Sequence, residues 1–249
     1  MTATAPDTRG AKALHVAPIA HADADAAVRR WHYSGSVVRN SQVHLGVFWD
    51  GRLEGAMQFG PSLDKRKLVG LVDGTPWHGF IELNRMAFGP ALPRNSESRA
   101  LAVAFRLLRR AYPQLQWVVS FADATQCGDG TIYRAAGFVL TQVRRNTSIW
   151  SLGDQTFTDI TYRTGAERRQ TINRTSVTAR PTETGAASMA HLRAAGARPL
   201  DGWQLRYLYF LDPSARARLT VPVLPFARIA ELGAGMYLGR PREVPLPGA

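Results

Sequence analysis

Phe80-Ile81-Glu82-Leu83-Asn84-Arg85-Met86-Ala87-Phe88 reads as a β-strand that carries two charges and an amide. Its alternation puts Ile81, Leu83 and, by count, Arg85 on one face, and Glu82, Asn84 and Met86 on the other. Polar residues at that density are unusual in a central strand. A polar loop follows, Pro93-Arg94-Asn95-Ser96-Glu97-Ser98-Arg99, and then a helix with apolar residues at Leu101, Ala104, Phe105, Leu108 and Tyr112, stopped by Pro113. The next strand, Trp117-Val118-Val119-Ser120-Phe121, ends in Ala122-Asp123, where a carboxylate meets a loop. Strand, loop, amphipathic helix, strand and glycine-containing turn in this order predict an α/β chain with a ligand crevice at the strand ends.

Upstream, the pattern predicts a first strand near Leu14 to Pro18 and a helix from about Asp23 to Trp31, broken by Tyr33-Ser34-Gly35-Ser36. Val43–Trp49 and Leu53–Gly60 read as a hairpin joined by Asp50-Gly51. Pro61 to Gly79 reads as a long loop around the basic patch Lys65, Arg66 and Lys67, and long loops in compact domains are more often functional than accidental. Downstream, strands are expected at Val139–Arg144, Ile149–Leu152 and Thr156–Arg163, and a helix at Ser188–Ala195. The organisation so read is a tail and first strand over residues 1–24, a catalytic core over 25–165, a linker or peripheral helix over 166–198, and an extension over 199–249 that docks on the core.

The chain of 249 residues carries 31 Lys and Arg against 19 Asp and Glu, a formal charge of +12. Nearly all the basic residues are arginine, which suits bidentate phosphate contacts; a GC-rich coding bias would enrich Arg and Ala together and is the plain alternative. The lone Cys127 excludes an internal disulfide framework and a multi-cysteine zinc site. No apolar run approaches the length of a membrane span and no leader is evident, so a cytoplasmic protein without membrane association is expected.

The words ELNRMAF (82–88), PRNSESRA (93–100), WVVSFAD (117–123), CGDGTIYRAAGF (127–138) and WHYSGSVVRNSQVHLGVF (31–48) resemble the Mom family of phage DNA-modification proteins, within the GNAT superfamily. The resemblance covers roughly residues 25 to 165. It implies a GNAT-like acyltransferase fold, with a central mixed, mostly antiparallel sheet flanked by helices. It also implies a reaction, conversion of adenine in double-stranded DNA to N6-carbamoylmethyladenine, which shields phage DNA from host restriction enzymes inside an infected bacterium. His32, Tyr33, Arg85, Ser98, Asp123 and Tyr133 fall on motif positions that the resemblance marks as functional. Iron is linked to such proteins, and His32, Tyr33 and Asp123 would make a hard N/O ligand set for it; a general base or a hydrogen-bonded core histidine is the plain alternative for His32.

In GNAT proteins the loop before the central helix holds the donor's pyrophosphate on backbone N–H groups. Here that role falls to Arg94, Asn95, Ser96, Ser98 and Arg99, although the loop lacks the usual glycines and inserts Glu97. The plain reading of Asn95 and Ser96 is an N-cap. Tyr133 is a general acid by resemblance, or an aromatic packed on the sheet; Cys127 is a loop thiol without an activating histidine. Carbamoylmethylation joins nitrogen to a methylene, which simple acetyl transfer cannot do. The donor is therefore either glycyl-tRNA, making tRNA a second partner, or acetyl-CoA with iron. Trp31, Tyr33 and Trp77 are candidates to stack on an extruded base, and Lys65, Arg66, Lys67, Arg144, Arg145, Arg168 and Arg169 to hold phosphates. Trp117 and Trp150 are expected in the core. An N-acetyltransferase acting on a small molecule or protein, and a non-catalytic DNA-binding decoy, are the alternatives. The oligomeric state is open, a dimer among the possibilities.

Overall fold

The computed structural model describes residues 10–153, 155–158, 168–172, 175–179 and 189–242. In chain order, β1 (His15–Pro18) and α1 (His21–Trp31) precede the hairpin β2 (Val43–Trp49) and β3 (Arg52–Gly60); α2 (Lys65–Leu68) interrupts the expected loop. Then come β4 (Phe80–Phe88), α3 (Ser96–Ala111), β5 (Trp117–Asp123), α4 (Thr131–Ala135) and β6 (Val139–Arg145). The rest comprises β7 (Ile149–Leu152), β8 (Gln155–Thr158), β9 (Arg168–Ile172), β10 (Thr175–Ala179), α5 (Met189–Ala194), β11 (Arg198–Pro199), β12 (Trp203–Phe210), α6 (Ala227–Glu231), β13 (Met236–Tyr237) and β14 (Arg240–Pro241). Residues 159–163 of the expected strand, Ser188 of the expected helix, and the side chains of Arg168 and Arg169 lie outside the described residues.

Seven strands form one sheet in the order β1-β2-β3-β4-β5-β12-β6, antiparallel except where β4 meets β5. The expected mixed, mostly antiparallel sheet flanked by helices is therefore present. Apolar spacing explains the layers. Leu101, Ala104, Phe105 and Leu108 of α3 pack on one face of the sheet, against Met57, Phe59, Val118 and Tyr207. The alternate residues of the same strands face the other way: Ala56 meets Ala24 and Ala27 of α1, and Val119 and Leu208 meet Leu68 and Leu71. Trp117 is fully buried, stacked on Phe80 at 4.2 Å, and Trp150 is buried in a separate cluster with Phe157 and Leu192.

The extension expected to dock on the core over 199–249 supplies a strand of the main sheet. Trp203–Phe210 forms β12, which lies between β5 and β6 and hydrogen-bonds to both, with Gln204 opposite Asp123 and Tyr207 opposite Ser120. β5 and β6 are joined in the sheet only through it.

Two features open the centre of the sheet. β4 and β5 pair only through Phe80, Ile81 and Glu82 opposite Trp117, Val118 and Val119; beyond that the strands diverge. On the other side of β4, Arg85 faces Gln58 and Leu83 faces Phe59, so Asn84 is an extra residue in a β-bulge. The bulge shifts the alternation. Ile81 and Leu83 before it, and Met86 and Phe88 after it, all pack in the α3-side core, where strict alternation separated Met86 from the other two.

At the N-terminus of α4, Gly130 has φ +81° and an added Cβ would lie 2.5 Å from the buried Tyr207 ring. Gly130→Ala combines a left-handed backbone with overpacking, and we expect it to cost about 1–3 kcal/mol in urea unfolding.

Candidate active site

The gap between the diverging strands is occupied by two cavities that share a wall. The first, of 250 Å³, lies on the α3 and α4 side and is lined by His32, Met86, Cys127, Ile132, Tyr133 and the Met236–Leu238 turn, among others. The second, of 270 Å³, is lined by Ser34, Ser36, Glu82, Thr125, Gln126, Asn146 and Gln204, among others. Tyr33, Leu83, Asn84, Arg85, Phe121 and Asp123 line both. Backbone divergence thus leaves side chains, and no ladder hydrogen bonds, between the two compartments.

Asp123 closes β5 and is held from several directions. Its Oδ1 accepts from the backbone N–H groups of Thr125 (2.9 Å) and Gln126 (3.2 Å), and its Oδ2 from the Tyr33 hydroxyl (3.2 Å) and the Gln126 side-chain amide (3.3 Å). Burial raises its pKa, and these hydrogen bonds work against the rise. The carboxylate is thereby a stronger base than an exposed aspartate, in a fixed orientation. Asp123 does not cap α4, which has no side-chain capping bond; nearer that helix, Asp129 accepts from the Thr131 hydroxyl at 2.9 Å.

The end of α1 delivers His32 and Tyr33, and their rings contact at 4.4 Å. Burial, and then the neighbouring Arg85, lower the His32 pKa well below the usual value, so the imidazole is neutral. Its Nδ1 accepts from the Ser34 backbone N–H at 3.2 Å, which places the ring proton on Nε2. In this tautomer His32 presents a donor at Nε2 and no free acceptor. Burial, followed by Asp123, raises the Tyr33 pKa well above that of a free phenol.

Arg85 follows the bulge. Its Nε donates to Ser36 O (2.8 Å) and its Nη1 to Asn84 O (2.7 Å), so the guanidinium is fixed between the compartments. Glu82 and Arg85, expected on opposite faces, line the same cavity because of the bulge; burial raises the Glu82 pKa and lowers that of Arg85, and the charge of each opposes the other's shift. Across the gap, burial pushes the Tyr133 pKa up to about 12 despite a hydrogen bond with Ser120, so the phenol keeps its proton and can donate it. Burial, and then Asp123, push the Cys127 thiol up to about 11, as befits a loop thiol and not a nucleophile.

Ser98 is not with these groups. It lines a third cavity, of 630 Å³, at the N-terminus of α3, together with Lys12, Arg94, Asn95 and Arg99. Asn95 is left-handed (φ 69°) and makes no side-chain capping bond, and the Ser98 hydroxyl bonds back to Asn95 O at 3.2 Å. Ser96 is buried, with its hydroxyl bonded to Pro93 O. The cap reading of Asn95 is thus not realised. The Arg99 Nε is buried without a partner, and with the adjoining cations it fits an anionic group such as a phosphate.

Iron does not fit. Tyr33 retains its proton and donates it to Asp123, His32 is committed to Ser34, and no group of three His, Cys, Asp or Glu side chains is placed to hold a metal among the described residues.

The expected base-stacking tryptophans are elsewhere. Trp31 packs on Ala24, Ala27 and Ala56, while Trp77 is 49% exposed beneath the Lys65 ammonium (5.0 Å), near the start of β4. Lys65, Arg66, Lys67 and Trp77 line none of the three cavities. Arg144 and Arg145 line none of the three cavities either; the Arg144 Nε donates to Gln204, a lining residue of the second, at 2.9 Å, and Arg145 lies 4.3 Å from the Trp203 ring. Sequence reasoning missed Gln126, Asn146 and Gln204 as lining residues, and it missed the Met236–Leu238 turn. In that turn Leu238 and Gly239 both have positive φ, which is unusual for a leucine and is not encoded in its residue type.

No helix among the described residues is long and apolar enough to cross a membrane. Among solved structures, an N-acetyltransferase from Staphylococcus aureus Mu50 aligns with 10% identity over 80% of this chain and 98% of its own, at a TM-score of 0.43. The IAA acetyltransferase from Bacillus cereus aligns with 9% identity over 80% and 99%, at 0.42. By sequence, the methylcarbamoylase Mom of Escherichia phage Mu is 35% identical over 213 residues, which cover 84% of this chain and 80% of that protein. Residues 13–228 match the Mom protein family, and the chain belongs to it.

Proposed function

We propose that this protein is a transferase that modifies adenine in DNA to N6-carbamoylmethyladenine, protecting phage DNA from restriction. The observation that carries the reading is the pair of cavities meeting at Tyr33, Arg85 and Asp123, one holding a proton-bearing tyrosine and the other lined by amides and hydroxyls. This suits a donor on one side and an acceptor base on the other, with a base between them. Adenine N6 and C6 are inaccessible to such a site inside a duplex, so the nucleotide is extruded. Donor phosphates sit over the start of α3, on Arg94, Asn95, Ser98 and Arg99.

The reaction balances with a glycyl ester as donor. Adenine N6 attacks the glycyl carbonyl and its proton passes to Asp123; the ester C–O bond breaks and the leaving alkoxide oxygen takes a proton from Tyr133, while Arg85 polarises the acyl oxygen. The freed glycyl amine then attacks C6 and the C6–amide nitrogen bond breaks. The original N6 becomes the carboxamide nitrogen, and the glycine nitrogen becomes the new N6. Mass spectrometry of nucleosides from cells expressing the protein, fed ¹⁵N-glycine, tests this. Carbamoylmethyl-deoxyadenosine with label at N6 is expected. Unlabelled product would overturn the glycyl route in favour of acetyl-CoA; unmodified DNA beside turnover of acetyl-CoA would favour a small-molecule or protein N-acetyltransferase.

A further inference from the structure

The second cavity contains a carboxyl group that the transfer chemistry leaves unused. Glu82 lines this cavity and not the one containing Tyr133. Ser62, from the segment after β3, and Asn84, from the bulge, hydrogen-bond to it, so its orientation is set from two directions. Burial raises its pKa, and these bonds and then Arg85 work against the rise. The other titratable groups lining the cavity are Tyr33, at the end of α1, and Asp123, at the end of β5. Phe121 supplies an aromatic side chain in the wall, Arg85 is the cation that lines it, and the lining residue Gln204 accepts from Arg144.

We propose that this cavity receives the extruded acceptor base and that Glu82 binds the N1–N6 edge of adenine as a carboxylic acid. The inference rests on the adenine reading above and adds the residue that holds the base. A carboxylic acid places one O–H donor beside one C=O acceptor; adenine places the N1 acceptor beside an N6–H donor at matching spacing. Pairing occupies one N6 hydrogen and leaves the second for Asp123, which lines the same cavity. A glutamine offers the same donor and acceptor without titrating. An alanine offers neither.

The test is the affinity of purified protein for a duplex with one unpaired adenine, against the same duplex carrying 1-deazaadenine, which lacks the N1 acceptor. Wild type and Glu82→Gln are expected to prefer adenine by about tenfold, and Glu82→Ala to bind both alike. Thermal unfolding of both variants establishes that they are folded. Adenine preference persisting in Glu82→Ala, or absent in wild type, overturns the pairing. A folded Glu82→Gln that loses both preference and modification also overturns it, because Glu82 would then act as an ionised base. If wild type modifies no DNA and binds the unpaired adenine no better than an abasic site, the adenine reading itself fails. Modified DNA without a 1-deazaadenine effect removes only the role of Glu82.

Discussion

Asp123→Asn leaves a folded protein whose yield of modified deoxyadenosine falls by about 10²–10⁴-fold, the usual contribution of a positioned general base. The substitution is close to isosteric. An Asn Oδ1 can still accept from the backbone N–H groups of Thr125 and Gln126, which bond to Asp123 Oδ1. What is lost is the capacity to take a proton and the two bonds that Oδ2 accepts, from the Tyr33 hydroxyl and the Gln126 side-chain amide. Stability provides a second reading of the same residue. The folded-state pKa of Asp123 is raised, so the native protein holds this proton more tightly than the unfolded chain. Wild type therefore loses stability as pH rises from the ordinary carboxylate value through the raised one, and Asn, which does not titrate, does not. The melting temperature of Asp123→Asn relative to wild type should climb across that window and level off above it. Full modification by a folded Asp123→Asn would remove Asp123 from the mechanism.

Tyr207→Ala is expected to destabilise the protein by about 3–5 kcal/mol, in the range of large-to-small substitutions at fully buried aromatic sites. Tyr207 is completely buried in the interior strand, its ring lies 5.2 Å from that of Tyr133, and its hydroxyl donates to Asp129 O at 2.6 Å. Tyr207→Phe isolates the last of these and should cost about 1–3 kcal/mol, because a buried carbonyl loses its partner. A single domain is typically stable by only about 5–15 kcal/mol, so Tyr207→Ala should remove much of the soluble protein. A chain ending at Gly202 should not fold. Denaturant unfolding decides; a cost for Tyr207→Ala within about 0.5 kcal/mol, the level typical of neutral surface sites, would mean that β12 is dispensable.

The strands and helices that carry the site were legible because their signals are local: Asp50-Gly51 between two apolar runs, the spacing of Leu101, Ala104, Phe105 and Leu108, and Pro113 at the end of α3. Asp123, Tyr33, Arg85 and Tyr133 converge as their positions suggested. Three things were not legible. Insertion of β12 depends on pairing between residues some 80 positions apart, as at Asp123 and Gln204, and no local pattern encodes that. The bulge at Asn84 exists only in register with β3, so simple alternation misplaced Glu82 relative to Arg85. Ser98, in the first turn of α3, lines the third cavity beside Ala135 and Ala136 at the end of α4, away from Asp123, which the motif alone could not tell.

The insertion of β12 also has a temporal meaning. On the ribosome, β5 and β6 emerge long before Trp203–Phe210, and neither has its neighbour until that segment is free. Until then β5 presents an unpaired edge, a hazard for mispairing, and the late, distant closure belongs to the slow-folding class of contacts. Asp123 lies on that edge, opposite Gln204, so the nascent enzyme has no complete crevice and no catalytic competence before its last large strand docks.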